Sequence, residues 1–211
     1  DLIGSEASLT YLTAVGLGRV KKYAWNNLSR RGVTYKGRNM YYSWTGGTFE
    51  HLMCPQFFAY CRGTDLYKSQ RNVVFSHSDY AKSKRLPFWG ISESQYGAVD
   101  GCGLYQYKAF GVPEISLANQ SDVKVISPYA SIMALSVAPR LTHENIAAME
   151  KFGMTGKYGF YESADCGKNT VQQSYMTHHQ GMILLSLCNY LHKNVVIKSA
   201  RRLPSVRAAE L

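Results

Sequence analysis

Apolar residues recur at helical spacing in several separate parts of the chain. The clearest case is residues 172–192, where Met182, Ile183 and Leu187 fall in one broad stripe. Similar spacing predicts helices over residues 5–16 and 65–84. Shorter helices are predicted from Thr48 onward, over residues 127–138 and 142–151, and from Lys198 onward. About seven helices with no run of alternating strands predict an all-α fold.

Long stretches rich in glycine separate these helices. Residues 86–128 and 154–170 carry closely spaced glycines, and residues 29–43 suit a loop or a short hairpin. Loops of this length inside a compact domain usually carry function. The two longer stretches are therefore the first candidates for functional loops.

Composition narrows the classes of protein that fit. The chain has 211 residues, enough for one domain, and its 45% of hydrophobic residues argues against intrinsic disorder. No apolar run is long enough to span a membrane, and five cysteines without C-x-x-C spacing predict neither a zinc site nor a disulfide framework. Free thiols are typical of the cytosol. Because the chain begins at Asp1 rather than Met, we expect it to be cut from a longer protein.

Charge and aromatic content bear on the partner. The formal net charge is +10, but the basic residues are scattered and no nucleic-acid-binding motif is present. We therefore do not expect a nucleic-acid partner. The 16 tyrosines suit partners that both stack and hydrogen-bond, as sugars do.

The segment from Pro87 to Tyr96 carries the strongest chemical signal. Glu93 lies between two serines, close in sequence to Trp89 and Tyr96. Glycoside chemistry uses such a set, because an aromatic face stacks on a pyranose while a carboxylate acts as nucleophile, acid or base. A helix-capping glutamate on a surface loop is the alternative.

Two further pairs have both a chemical and a structural interpretation. If their segment is helical, Glu162 and Asp165 share one face, and two such carboxylates can push each other's pKa values apart. The alternative is a solvated acidic pair. His179 and Gln180 either bind sugar hydroxyls or pack in the core. His178 and His179 are adjacent, and adjacent side chains on a helix point about 100° apart, so we expect no shared metal.

Two glutamates lie near predicted helix starts. Glu6 stands in the otherwise uncharged segment 2–17, at the polar edge of a helix or in a functional site. Glu50 lies in the first turn of the helix from Thr48, where the helix dipole favours an acidic residue.

Seven blocks of the sequence occur in a recognisable order. They include Trp89-Gly-Ile-Ser-Glu-Ser94, Tyr158-Gly-Phe-Tyr-Glu162 and His178-His-Gln-Gly-Met182, and the others lie within residues 1–9, 43–53, 105–113 and 127–130. Over nearly its whole length the chain thereby resembles the glycoamylase-like domain of cyclic β-1,2-glucan synthases. More distantly it is similar to endo-β-1,2-glucanases, which usually lack a glutamate at the position of Glu93.

The resemblance implies part of an (α/α)6 toroid, with residues 1–211 as one glycoamylase-like domain. Since a complete toroid has more helices, the chain would be a C-terminal portion of a larger multidomain protein. The implied activity is retaining transglycosylation that closes linear β-1,2-glucan into a ring, or hydrolysis, without a cofactor or metal. The implied partners are the glucan and the remainder of the parent polypeptide, which would hold this cytoplasmic domain at the inner membrane.

The resemblance also implies roles for individual residues. Glu93 would be the nucleophile and Glu6 the acid/base, with carboxyl groups ~5–5.5 Å apart. Glu162 is the competing acid/base, and acting through water it would give inverting hydrolysis at ~6.5–9.5 Å. The implied sugar contacts are Trp44, Trp89, Tyr96, Tyr107, Tyr129, Tyr161, Asp165, His179 and Gln180.

Three segments depart from the family pattern: His51-Leu-Met-Cys-Pro55, residues 97–103, and the Cys166-Gly-Lys-Asn169 stretch. They lie in the expected substrate loops, so they bear on chain-length preference and activity more than on the fold. A non-catalytic glucan-binding or scaffold fragment is the alternative function.

Overall fold

The computed structural model of the protein describes residues 1–118 and 120–210. In these residues the helices are α1 (Ala7–Gly16), α2 (Thr48–Leu52), α3 (Asp65–Ser83), α4 (Pro128–Ile132), α5 (Pro139–Lys151), α6 (Thr177–Leu191), α7 (Val195–Ala200) and α8 (Pro204–Ala209). The strands are β1 (Gly32–Tyr35), β2 (Arg38–Tyr41), β3 (Ser94–Val99), β4 (Tyr105–Lys108), β5 (Val125–Ile126), β6 (Thr155–Gly156), β7 (Gly159–Phe160), β8 (Ser163–Asp165) and β9 (Thr170–Gln172).

The strands form small antiparallel sheets between the helices. β1–β2, β3–β4 and β6–β7 are hairpins, and β5, β8 and β9 form a three-stranded sheet in the order β5-β8-β9. The predicted all-α fold, as part of an (α/α)6 toroid, is therefore wrong. The strands span two to six residues, too short for their alternation to stand out from the glycine-rich sequence.

The long helices were predicted well, and their ends less well. α1 and α3 match the expected ranges, and β1–β2 confirms a hairpin within residues 29–43. α5 begins at Pro139 rather than Thr142, whose hydroxyl donates to the carbonyl oxygen of Ala138 at 3.0 Å inside the helix. α6 begins at Thr177 rather than at residue 172, because Gln172 ends β9 and a short loop follows it. No helix in the described residues is long and apolar enough to cross a membrane.

The core lies on both sides of α3. One cluster of buried apolar side chains includes Val73 and Tyr80 of α3 and Ile126 of β5. A second includes Val74 of α3 and Tyr129 of α4. α3 thus connects the sheet of β5, β8 and β9 to the helices that follow it.

Close backbone packing connects two loops beside the core. Gly111 lies so near the loop before α2 that a Cβ atom would come within 1.7 Å of the Thr45 carbonyl oxygen. The backbone N–H of Val112 donates to the Gly46 carbonyl oxygen at 3.1 Å, and Gly46 adopts a φ of +75°. These positions require glycine, because a side chain would force the two loops apart.

His77 of α3 is buried among backbone groups in one tautomer. Its Nδ1 accepts from the Ile91 N–H at 3.3 Å, so the proton is on Nε2, which donates to the Gly46 carbonyl oxygen at 3.0 Å. Burial lowers the pKa of His77 to about 4. Burial also lowers the pKa of His51 to about 3, and repulsion by the protonated form of His77 lowers it further. Both rings are therefore neutral at physiological pH.

These histidines predict a loss of stability in mild acid. Their pKa values are lower in the folded state than the unfolded value of about 6.5, so the unfolded state binds more protons as the pH falls. The stability that each neutral, buried histidine contributes is fully present above about pH 6.5. Between pH 7.5 and pH 5 the free energy of unfolding should decline by about 2 kcal/mol per histidine. Urea unfolding at the two pH values measures it.

The variant His77→Gln keeps a donor and an acceptor but does not titrate, so its stability should fall less over this pH range. The exposed His192 provides the control, because His192→Gln should leave the decline as it is in the parent. An equal decline in His77→Gln and in the parent would contradict the prediction.

Candidate active site

The N-terminus of α1 and the loop before α2 border an open cavity of about 750 Å³. Three glutamates line it: Glu6, Glu50 and Glu93. Glu6 is exposed at the N-cap position directly before α1, and the Trp44 side chain is 62% exposed at the rim. The cavity therefore combines carboxylates with an accessible aromatic face.

Glu93 is held in place through its backbone and its neighbour Ser92. The Tyr129 hydroxyl donates to the Glu93 carbonyl oxygen at 3.0 Å and lies 2.9 Å from the Ser92 hydroxyl oxygen. Ser92 Oγ also accepts from the backbone N–H of Phe49 at 3.2 Å. The segment that carries Glu93 is thus tied both to α4 and to the first turn of α2.

Asn145 fixes the start of the same segment. Its Oδ1 accepts from the backbone N–H of Trp89 at 2.9 Å, and its Nδ2 donates to the Trp89 carbonyl oxygen at 2.8 Å. The Ser131 hydroxyl donates to that same carbonyl oxygen at 2.6 Å. All of these groups are buried, so breaking the set would leave unsatisfied polar atoms.

Glu162 forms a buried pair with His179. Glu162 Oε1 accepts from His179 Nδ1 at 2.8 Å and from the backbone N–H of Gln95 at 3.3 Å. The two side chains are 0% and 2% exposed. Within the described residues, Glu162 Oε2 and His179 Nε2 have no hydrogen-bond partner. Each residue thus keeps one free, buried polar atom.

Two tyrosines connect this pair to Glu93. The Tyr129 ring stacks on His179 with a centroid distance of 3.7 Å and an interplanar angle of 10°. The Tyr107 ring stacks more loosely, at 6.3 Å. Burial and the neighbouring Glu93 carboxylate raise the pKa of Tyr107, and burial raises that of Tyr129. Both hydroxyls therefore remain protonated and able to donate.

Glu50 shapes the rim of the cavity. Its carboxylate accepts from the backbone N–H groups of Trp44, Thr45 and Gly47 and, at 2.7 Å, from the Thr45 hydroxyl. Burial raises the pKa of Glu50, the hydrogen bonds from Thr45 lower it, and the charge of Glu6 adds a smaller increase. Sequence reasoning missed this role, although a glutamate at the third position of a helix is the known signal for such a cap.

Several predicted contacts lie away from the cavity. Trp89 is only 4% exposed, in the core cluster that contains Tyr129. Tyr96 packs edge-on against Phe110 at 5.1 Å. The Trp89 ring therefore offers no free face to a sugar in this structure, whereas the Tyr96 ring is half-buried.

Three other residues that were predicted to contact sugar instead make hydrogen bonds or packing contacts with nearby parts of the chain. The carboxylate of Asp165 in β8 accepts from the backbone N–H of Gly167 at 3.0 Å, so it lies in a strand and its turn rather than on a helix. Gln180 donates to the Phe160 carbonyl oxygen at 2.9 Å. Tyr161 packs against Tyr175 at 5.4 Å.

The structure therefore brings the predicted residues together in two adjacent groups. Glu6, Glu93 and Trp44 line the cavity, while Glu162, His179, Tyr107 and Tyr129 form a cluster at Glu93. One group of side chains in the described residues lies close enough together to share a metal ion, and it consists of Glu93, His178 and His179. Sequence reasoning did not select His178.

Known proteins resemble this chain, one in sequence and two in fold. The chain is 33% identical over 220 aligned residues to the cyclic β-(1,2)-glucan synthase NdvB of Rhizobium meliloti, and the alignment covers 100% of this chain and 8% of NdvB. The structure superposes on the endo-β-1,2-glucanase of Chitinophaga pinensis with a TM-score of 0.73 at 20% identity, over 94% of this chain and 51% of the glucanase. The β-1,2-glucanase of Parabacteroides distasonis gives a TM-score of 0.69 at 16% identity, over 97% and 29% of the two chains.

The similarity to the two solved structures establishes the fold. The chain spans about half or less of the length of each of the three relatives. The assignment to a family has its own evidence. The model of the glycoamylase family, described as "Putative glucoamylase", matches residues 3–204. The chain therefore belongs to the glycoamylase family.

Proposed function

We propose that this chain is a carbohydrate-active domain that acts on β-1,2-glucan, with Glu93 and Glu6 as the reacting carboxyl groups. The observation that carries the proposal is that both glutamates line one open cavity of about 750 Å³, with the exposed Trp44 at its rim. An exposed indole suits the apolar face of a glucose ring. The names of the synthase and glucanase relatives support the choice of glucan.

The proposed reaction retains the anomeric configuration. The Glu93 carboxylate attacks the anomeric carbon while Glu6 donates a proton to the departing glycosidic oxygen. The covalent glycosyl-enzyme is then attacked by a sugar hydroxyl, which gives up its proton to Glu6, or by water in the same way. A 2-hydroxyl from the same chain would close a ring. The fixed backbone of Glu93 favours it as nucleophile, because attack requires a well-placed carboxylate.

Glu162 is the competing acid/base. Its Oε2 is free, and the bond to His179 fixes its orientation. If Glu162 acted through water while Glu93 only bound the sugar, the outcome would be inverting hydrolysis. Against this, Glu162 is buried and does not line the cavity. We therefore favour Glu6.

We place this activity within a longer polypeptide, because the chain matches only 8% of the length of its synthase relative. In that context it would act as a cytoplasmic domain, held at the inner membrane by other parts of the protein.

The variant Glu93→Gln tests the proposed nucleophile. Without a nucleophile, conversion of linear β-1,2-glucan should fall about a thousandfold or more. Chromatography of the glucan products measures it, with both proteins in the full-length polypeptide. Glu150→Gln, on the exposed face of α5, is the matched control and should retain activity. Unchanged turnover in Glu93→Gln would exclude the nucleophile role, and glucan retention without turnover by the parent would favour the non-catalytic alternative.

The variants Glu6→Gln and Glu162→Gln distinguish the two candidate acid/base residues. Glu6→Gln should lose about 10²–10⁴-fold in turnover of the glucan, because the departing oxygen is no longer protonated. With an aryl β-glucoside of the same linkage, whose leaving group needs no proton, added azide should restore part of the rate, because azide needs no general base. The product should be a glycosyl azide of retained configuration, detected by NMR. Glu162→Gln should show no azide rescue. Rescue confined to Glu162→Gln, or products of inverted configuration from the parent, would reverse the assignment.

A further inference from the structure

We propose that Glu93, His178 and His179 form a binding site for a divalent first-row transition metal, of which Zn²⁺ is the probe. Each residue offers one ligand atom, and these atoms lie within 4.8 Å of one another. His179 is buried, Glu93 is half-buried and His178 is exposed, so the group extends from the interior to the surface. Two imidazoles and a carboxylate are ligands that zinc and its neighbours accept.

His179 is already oriented as a ligand. Its Nδ1 bonds to the buried Glu162 carboxylate at 2.8 Å, and a carboxylate acceptor there places the ring proton on Nδ1. Nε2 then presents a lone pair, and it is buried without a hydrogen-bond partner in the described residues. A carboxylate behind a histidine ligand is the usual support of such a site, because it fixes the tautomer and the ring plane.

The Tyr129 ring restricts His179 further. It lies parallel to the imidazole at a centroid distance of 3.7 Å, which holds the plane of the ring. Tyr129 also donates to the Glu93 carbonyl oxygen at 3.0 Å. One buried tyrosine thus positions two of the three ligand residues.

His178 provides the adjustable ligand. It lies in the first turn of α6, where its ring is 5.3 Å from that of His179 and 5.2 Å from Phe49, centroid to centroid. The helical spacing predicts that the two side chains diverge, yet the structure keeps their rings close. Tetrahedral zinc holds its donors about 3.3 Å apart. The ligand atoms, which lie within 4.8 Å of one another, must therefore draw together by up to about 1.5 Å, which the exposed His178 side chain can do.

The metal would act on glucan turnover through Glu93. A carboxylate that ligates the ion cannot attack an anomeric carbon, so occupancy should inhibit the reaction reversibly. This consequence rests on the proposed function, whereas binding of the ion does not.

Direct titration tests the site without reference to activity. Zn²⁺ is titrated calorimetrically into the untagged protein after alkylation of its exposed thiols, since thiolates also bind zinc. We expect one ion per chain, and a loss in affinity of about tenfold or more in His178→Gln and in Glu162→Gln. His192→Gln, a substitution at the exposed end of the same helix, is the matched control and should bind as the parent does.

The outcomes separate the two proposals. Equal affinity of His178→Gln and the parent, or no stoichiometric binding by the parent, would overturn the metal site and leave the function of Glu93 as it stands. Binding that depends on His178 while saturating Zn²⁺ leaves glucan turnover unchanged would keep the metal site and contradict the nucleophile role. Inhibition that follows occupancy, and is lost in His178→Gln, supports both.

Discussion

The position of the candidate site depends on how the buried backbone around Trp89 is satisfied. A backbone carbonyl and N–H in the interior must find partners, and Asn145 supplies both for Trp89. Ser131 adds a second donor to the same carbonyl. Four residues later the chain reaches Glu93, which is held in turn by the Tyr129 hydroxyl. The fixed start and end of this short segment leave Glu93 little freedom.

The same elements serve both the core and the cavity. Tyr129 belongs to the core cluster on one side of α3, yet its hydroxyl and ring reach Glu93 and His179. Glu162 lies directly before β8, a strand buried in the three-stranded sheet. The acidic and imidazole groups are therefore set by packing in the interior, and they move little unless the core moves.

Much of the helical framework could be predicted from the sequence, because α1 and α3 are long enough for their apolar spacing to be visible. Apart from the β1–β2 hairpin, the strands could not be predicted, since most are very short and β6 and β7 contain two residues each. The aromatic and serine neighbours of Glu93 predicted a functional role, which stays a prediction, and the structure places this residue in the lining of the cavity. The burial of Trp89 could not be predicted, because a tryptophan beside a glutamate suits a sugar platform and a core position equally well, and long-range packing decides between them.

Contacts between residues that are distant in sequence could not be predicted from the sequence either. Glu162 and His179 are brought into contact by the sheet of β5, β8 and β9 and the start of α6, and no local pattern encodes that distance. The role of Glu50 had a local signal in the capping position, but its effect on Trp44 appears only in the folded loop.

The loop that Glu50 caps has a thermodynamic consequence for binding. Its carboxylate holds the backbone of Trp44, Thr45 and Gly47, so the exposed indole stands on a segment that is ordered before any ligand arrives. Ordering a flexible loop costs about 1–2 kcal/mol of conformational entropy per residue. In this protein the loop is already ordered on folding, so ligand binding does not have to order it. A sugar that stacks on Trp44 would lose little of its binding free energy to ordering the protein, so even a shallow contact can contribute to affinity.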